Sequence, residues 1–153
     1  MKEPVWLTKQ QILALHANQI QEHGGSHGVR DDSLLESALG KPQNLYCYAE
    51  PTIFEIAASY GYGIIKNHPF VDGNKRTGIV ATGVFLMING WNIEVPEPEL
   101  VLTTVSVADG SLEEKAFSLW LKENSKEFSH FSKIADIETI GSVDNSLDRD
   151  RTH

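Results

Sequence analysis

Asn67–Gly78, "NHPFVDGNKRTG", gathers a histidine, an acid, an asparagine and two cations around a glycine, directly ahead of a long apolar run. A glycine followed by a helix start presents unpaired backbone N–H groups, and the helix dipole adds partial positive charge there. Such a start suits an anion. Gly73 lets ligand oxygens approach the main chain, because no side chain stands in the way. Asn74 is placed to cap the helix. Lys75 and Arg76 occupy the first turn, where cations are electrostatically misplaced unless something strongly negative binds. Phosphate is the natural candidate, with Arg76 suited to bidentate contact and Lys75 to a point charge. Asp72 would repel phosphate, but Mg2+ between them removes the conflict. His68 is then the candidate general base for a hydroxyl, since neutral imidazole takes a proton near pH 7. Phe70 reads as the structural anchor that pins the loop to the core.

Competing chemistries fit less well. A His–Asp pair four residues apart is by itself ordinary surface polarity, but this one has the anion nest beside it. Gly73 and Gly78 have the glycine spacing of a phosphate-binding P-loop, yet Ile79 and Val80 stand where that motif needs Lys and Ser or Thr. A zinc site from His23, His27 and His68 is disfavoured, because Gly24 and Gly25 break the helix that would align the first two.

The loop must be positioned by helices. "LTKQQILALHANQIQEHGG" opens with Thr8 and Gln11 at capping-box spacing, closes at Gly24 and Gly25, and carries Ile12, Leu15 and Ile20 on one face. "DDSLLESALGKP" reads as a short helix stopped by Gly40 and Pro42, and "QNLYCYAE" as extended or looped. "PTIFEIAASYGYGIIKNH" starts at Pro51 and Thr52 with apolar residues at helical spacing. After the loop a helix is predicted from about Asn74 to Asn89, apolar on nearly every side and so buried. "PEPELVLTTVSVADG" and "SLEEKAFSLWLKENS" read as two more helices, the second with Ser111 and Glu114 as a capping box. "NIEV" is a short strand or coil. The fold class is all-α, with the loop joining two central helices. Residues 1–128 form the domain, and a polar tail over 129–153 is expected to be loosely held or partly disordered.

Bulk properties exclude several classes. A chain of 153 residues builds one core rather than two. The net charge of −8 argues against direct nucleic-acid binding, which needs a basic face. The one cysteine, Cys47, cannot form an internal disulfide and reads as a small buried apolar residue. The N-terminal stretch has no signal-peptide pattern and no run is long enough for a bilayer span, so a cytoplasmic location without membrane contact is expected.

His-Pro-Phe-x-Asp-Gly-Asn-Lys-Arg, His68 to Arg76, resembles the signature of the Fic/Doc superfamily. "GVRDDSLLESAL" upstream and "FLMINGW" downstream are similar to its Doc (death-on-curing) toxin branch, over roughly residues 5–125. The resemblance implies a compact helical domain that binds ATP and Mg2+ at this loop and modifies a protein hydroxyl. His68 would be the base and Asp72 the metal ligand. Gly73 and Asn74 would form the anion hole, Lys75 and Arg76 would hold phosphates, and Phe70 would anchor the loop. AMP-transferring members have glycine in place of Lys75 and arginine in place of Ile79. In Doc-like members this lysine goes with an inverted nucleotide and transfer of the γ-phosphate, by resemblance to elongation factor Tu, which halts translation. An AMP-transferase and a catalytically silent binding module remain the alternatives. The inhibitory Ser/Thr-x-x-x-Glu-Gly/Asn spacing of many Fic proteins is absent, so the resemblance implies neutralisation in trans by a Phd-like antitoxin. "KPQNLYCYAE" sits where the family has its target-docking flap, making Tyr46 and Tyr48 candidates for substrate contact, with core aromatics as the alternative.

Overall fold

The computed structural model describes residues 2–128. The expected polar tail, residues 129–153, lies outside them. Helices dominate: α1 (Lys9–His23), α2 (Asp32–Ala49), α3 (Ile53–Asn67), α4 (Asn74–Ile88), α5 (Glu97–Asp109) and α6 (Glu114–Glu123). The strand signal at "NIEV" is realised as β1 (Trp91–Ile93), which pairs antiparallel with an unforeseen β2 (Ser125–Glu127), Asn92 opposite Lys126. Among the described residues no helix is long and apolar enough to cross a membrane.

α3 is the hub, packing on α2, α4, α5 and α6. Its residues Ile56 to Gly61 are all buried, as are Ile64 and Ile65. α3 and α4 approach so closely that a Cβ on Gly61 would lie 2.1 Å from Thr82 Oγ1, and one on Gly78 would lie 2.6 Å from Ile65 Cγ1. Only glycine permits that crossing, and the crossing sets where the loop between the two helices emerges. From Thr77 to Gly90 no residue of the α4 segment is exposed, as its all-round apolar pattern predicts. Tyr60 ties the N-terminal segment to this core: its hydroxyl accepts from Leu7 N–H at 3.1 Å and donates to the Leu7 carbonyl at 3.2 Å. Burial pushes this phenol up to about 12.

Three local expectations are corrected. α2 does not stop at Gly40 and Pro42 but runs on to Ala49 with Pro42 inside it, so the stretch read as extended is helical. Pro42 is buried and Ala38, one turn earlier, packs within 3.4 Å of the Cβ position of Gly63. Tertiary packing on α3 thus outweighs the lost backbone hydrogen bond. Helical spacing turns Cys47 outward, so it is exposed rather than buried. Ser111 does not cap α6: the cap position is Glu113, without a side-chain hydrogen bond. Ser111 instead closes the preceding turn, its N–H donating to Asp109 Oδ1 at 2.8 Å.

Candidate active site

His68 ends α3. Its N–H still donates to the Ile64 carbonyl at 3.2 Å, but its backbone is left-handed (φ 55°, ψ 51°), and Pro69 disfavours helical geometry at the residue before it. A non-glycine residue in this region is strained and has to be held there. Arg30 does so from outside: Nε donates to the His68 carbonyl at 2.8 Å and Nη2 to the Asn67 carbonyl at 3.1 Å. The segment around Arg30 also pairs with the loop through an isolated antiparallel bridge between Val29 and Phe70. Arg30 and Asp31 N–H both donate to the Pro69 carbonyl, and Val71 N–H donates to the Gly28 carbonyl.

Beneath this clamp the Phe70 side chain is fully buried and stacks on the His16 ring at 3.8 Å between centroids and 7° between planes. His16 is buried, and burial lowers its pKa below the usual histidine value, partly opposed by its bond to the Asp72 carbonyl. That bond is 2.8 Å from Nε2. Asp72 itself is exposed; its Oδ2 accepts from Ser26 N–H at 2.7 Å, and Oδ1 has no partner among the described residues. Gly25 allows this approach: a Cβ there would lie 3.1 Å from Asp72 Cβ.

Gly73, left-handed at φ 80°, is the N-cap of α4, and no side chain caps this helix. Asn74 is therefore not the cap that its position suggested. Its side chain is 3% exposed and turned inward, where Oδ1 accepts from Phe70 N–H and Nδ2 donates to the Phe70 carbonyl. Any contribution to an anion hole comes from its backbone N–H, one of the amides that helix geometry leaves unpaired in the first turn. Lys75 and Arg76 are exposed and form no ion pair among the described residues.

His68, Val71, Asp72, Gly73, Asn74, Lys75 and Arg76 line one open cavity of about 220 Å3. The structure thus brings together every residue that the sequence singled out within the loop, except Phe70, which lies underneath. Tyr46 and Tyr48 are not among them. They sit in the last turns of α2, Tyr46 edge-on to Trp6 at 5.6 Å and Tyr48 87% exposed. A larger hollow of about 320 Å3 between α2 and α3 includes Lys41, Tyr62 and Lys66. It holds no carboxylate and no helix start, and Lys41 is already paired with Glu114. The smaller cavity is the one equipped for chemistry.

His16, Ser26 and Arg30 went unnoticed in the sequence. Arg30 lies inside the quoted "GVRDDSLLESAL", and His16 lies one turn before Ile20 on the apolar face of α1; neither pattern names a partner. No group of three or more His, Cys, Asp or Glu that could hold a metal occurs among the described residues. Asp72 alone fits a magnesium ion only when phosphate oxygens complete its shell.

The Fic/DOC family matches residues 6–86, which includes the whole loop. The chain is 34% identical over 107 residues to "Protein kinase doc" of Escherichia phage P1, covering 69% of this chain and 84% of that protein. It is 36% identical over 102 residues to "Toxin Doc" of Mycolicibacterium smegmatis, covering 63% of this chain and 78% of the relative. With the family's match spanning more than half of the sequence and a relative of this identity covered over most of its length, the chain belongs to the Fic/DOC family.

Proposed function

We propose that this protein is a Doc-type protein kinase and toxin: it transfers the γ-phosphate of ATP to a hydroxyl of a protein target. The observation that carries the reading is the pair Lys75 and Arg76 at the uncapped start of α4, exposed and without an ion-pair partner among the described residues. Free amides, two cations and a dipole end converge on one cavity, an arrangement that a triphosphate neutralises. His68, on the same wall, takes the proton of the incoming hydroxyl as its oxygen bonds to the γ-phosphorus and the bond to ADP breaks. Asp72 would hold Mg2+ together with phosphate oxygens; the ion neutralises charge between them. Lys75 favours γ-phosphate over AMP transfer, because its bulk and charge occupy the nest where AMP-transferring members have glycine. The phage P1 relative carries the name of a protein kinase.

By the resemblance, the target is a threonine of elongation factor Tu, modified in the cytoplasm so that translation stops. A Phd-like antitoxin neutralises the protein in trans by laying a helix in a groove of the domain. The test is double labelling: with Mg2+ and elongation factor Tu, ATP labelled at the γ position should mark the target and α-labelled ATP should not. Transfer of the α label alone would establish AMP transfer instead. No transfer of either label to any protein of a bacterial lysate would favour the silent module.

A further inference from the structure

The orientation of the Asn74 amide is dictated by its surroundings. Oδ1 lies 2.9 Å from Phe70 N, a group that only donates, and Nδ2 lies 3.0 Å from the Phe70 carbonyl oxygen, which only accepts. Turning the amide over would set acceptor against acceptor and donor against donor, both in a buried place where unmade hydrogen bonds are costly. The same Nδ2 lies 3.1 Å from His68 Nδ1. An amide NH2 has no acceptor capacity, so Nδ1 must supply the lone pair, and a neutral ring then carries its one hydrogen on Nε2. Nε2 has no protein partner among the described residues, and His68 forms part of the cavity wall. Arg30 restrains the ring's backbone by holding the carbonyls of Asn67 and His68.

We infer that Asn74 is a positioning residue that sets the resting tautomer of His68, with the hydrogen on Nε2 and the lone pair of Nδ1 tied to the loop. The ligand-free protein therefore offers the cavity a donor at Nε2, not an acceptor. Taken with the proposed role of His68 as base, this makes the base dormant at rest. A hydroxyl cannot pass its proton to a nitrogen that already bears one. Either the Asn74 contact opens or the ring hydrogen changes nitrogens before transfer begins.

The experiment is a long-range proton–nitrogen correlation spectrum of the full chain labelled with nitrogen-15 histidine, at about pH 8, where histidine side chains are mostly neutral. His68→Gln identifies the His68 signals by their loss. The expected pattern is a protonated Nε2 and a bare Nδ1; a protonated Nδ1, or an even mixture, overturns the inference. Asn74→Asp sharpens the test, because a carboxylate only accepts and should draw the hydrogen to Nδ1. His16, whose Nε2 bonds the Asp72 carbonyl, reports whether the loop stays folded in that variant. A folded Asn74→Asp protein that keeps the hydrogen on Nε2 also overturns the inference, and if the variant unfolds, the wild-type spectrum decides alone. The measurement needs no nucleotide, so it can fail while γ-label transfer succeeds, and the reverse.

Discussion

Two helices meet at the loop, and their starts are built on opposite plans. α3 opens on a complete capping box: Thr52 Oγ1 accepts from Glu55 N–H at 3.1 Å and Glu55 Oε1 accepts from Thr52 N–H at 3.0 Å. The Thr52 N–H is the main reason that the Glu55 carboxyl sits below the usual glutamate range, with Lys115 adding to it. Charge, cap and dipole agree there. α4 opens on a left-handed glycine with no side-chain cap, no acid in its first turn, and two cations against the dipole. A helix that only has to be stable answers its own amides. α4 leaves them unanswered by any side-chain cap, and its body, with no exposed residue from Thr77 on, supplies the stability that its first turn gives up.

The largest expected effect separates the two starts by function. His68→Ala should reduce γ-label transfer by roughly 10²- to 10⁴-fold, the usual worth of general acid–base catalysis. Thermal unfolding should hardly move, since His68 is exposed and, among the described residues, its side chain hydrogen-bonds only to Asn74. At the other start, Thr52→Ala should cost about 1 kcal/mol in urea unfolding, as a lost N-cap does, and leave transfer unchanged. Loss of transfer in Thr52→Ala would mean that the starts are not functionally distinct.

That contrast was partly legible beforehand. Thr8 with Gln11, Thr52 and the apolar run after Arg76 announced α1, α3 and α4 through local spacing; the capping box read at Thr8 and Gln11 formed, whereas the one read at Ser111 and Glu114 did not. Local spacing misled where packing decides. Pro42 looked like a stop, but α2 buries it; Asn74 looked like a cap, but the loop has a more demanding use for its amide. The cavity's lining was readable because it is contiguous in the chain. Its supports were not, because they arrive from afar: His16 reaches Asp72 across 56 residues, Ser26 across 46, and Arg30 reaches His68 across 38. Periodicity carries no information about such meetings.

One of those distant supports should make the loop sensitive to acid. Burial lowers the pKa of His16 in the folded protein below the ordinary histidine value of 6.5, with the Asp72 carbonyl opposing it and nearby His27 adding to the effect. The unfolded chain therefore binds the proton more readily, and the stability due to neutral His16 is complete above about pH 6.5. It is lost as pH falls from there through the lower folded value. Urea midpoints of wild type and His16→Gln, compared from pH 7.5 down to 5, should show a steeper decline in wild type. Parallel declines would assign the acid sensitivity to other groups. The effect should be modest, because the Asp72 contact offsets part of the burial cost.

The smallest effect is also the most pointed, because it asks α4 to adopt the plan of α3. Lys75 lies in the first turn, exposed and without an ion-pair partner among the described residues, so its charge meets the helix dipole with little local compensation. Lys75→Glu replaces an unfavourable charge with a favourable one, and each such charge is worth about 0.3–1 kcal/mol at low salt. The variant should be slightly more stable than wild type in dilute buffer, and the gain should fade in 1 M salt as screening removes the dipole interaction. Binding of Mg·ATP, followed by calorimetry, should weaken at the same time, since a carboxylate now faces the phosphates. Glu55→Lys in α3 is the mirror experiment: it should lose stability by breaking a cap and an ion pair, with no change in nucleotide affinity. Opposite signs of stability change, with nucleotide binding altered only at α4, would establish that this helix start carries a deliberate electrostatic cost for its ligand. If Lys75→Glu is no more stable in dilute buffer and binds nucleotide as before, the misplaced cations are ordinary surface charges and the reading of the cavity as a triphosphate site loses its main support.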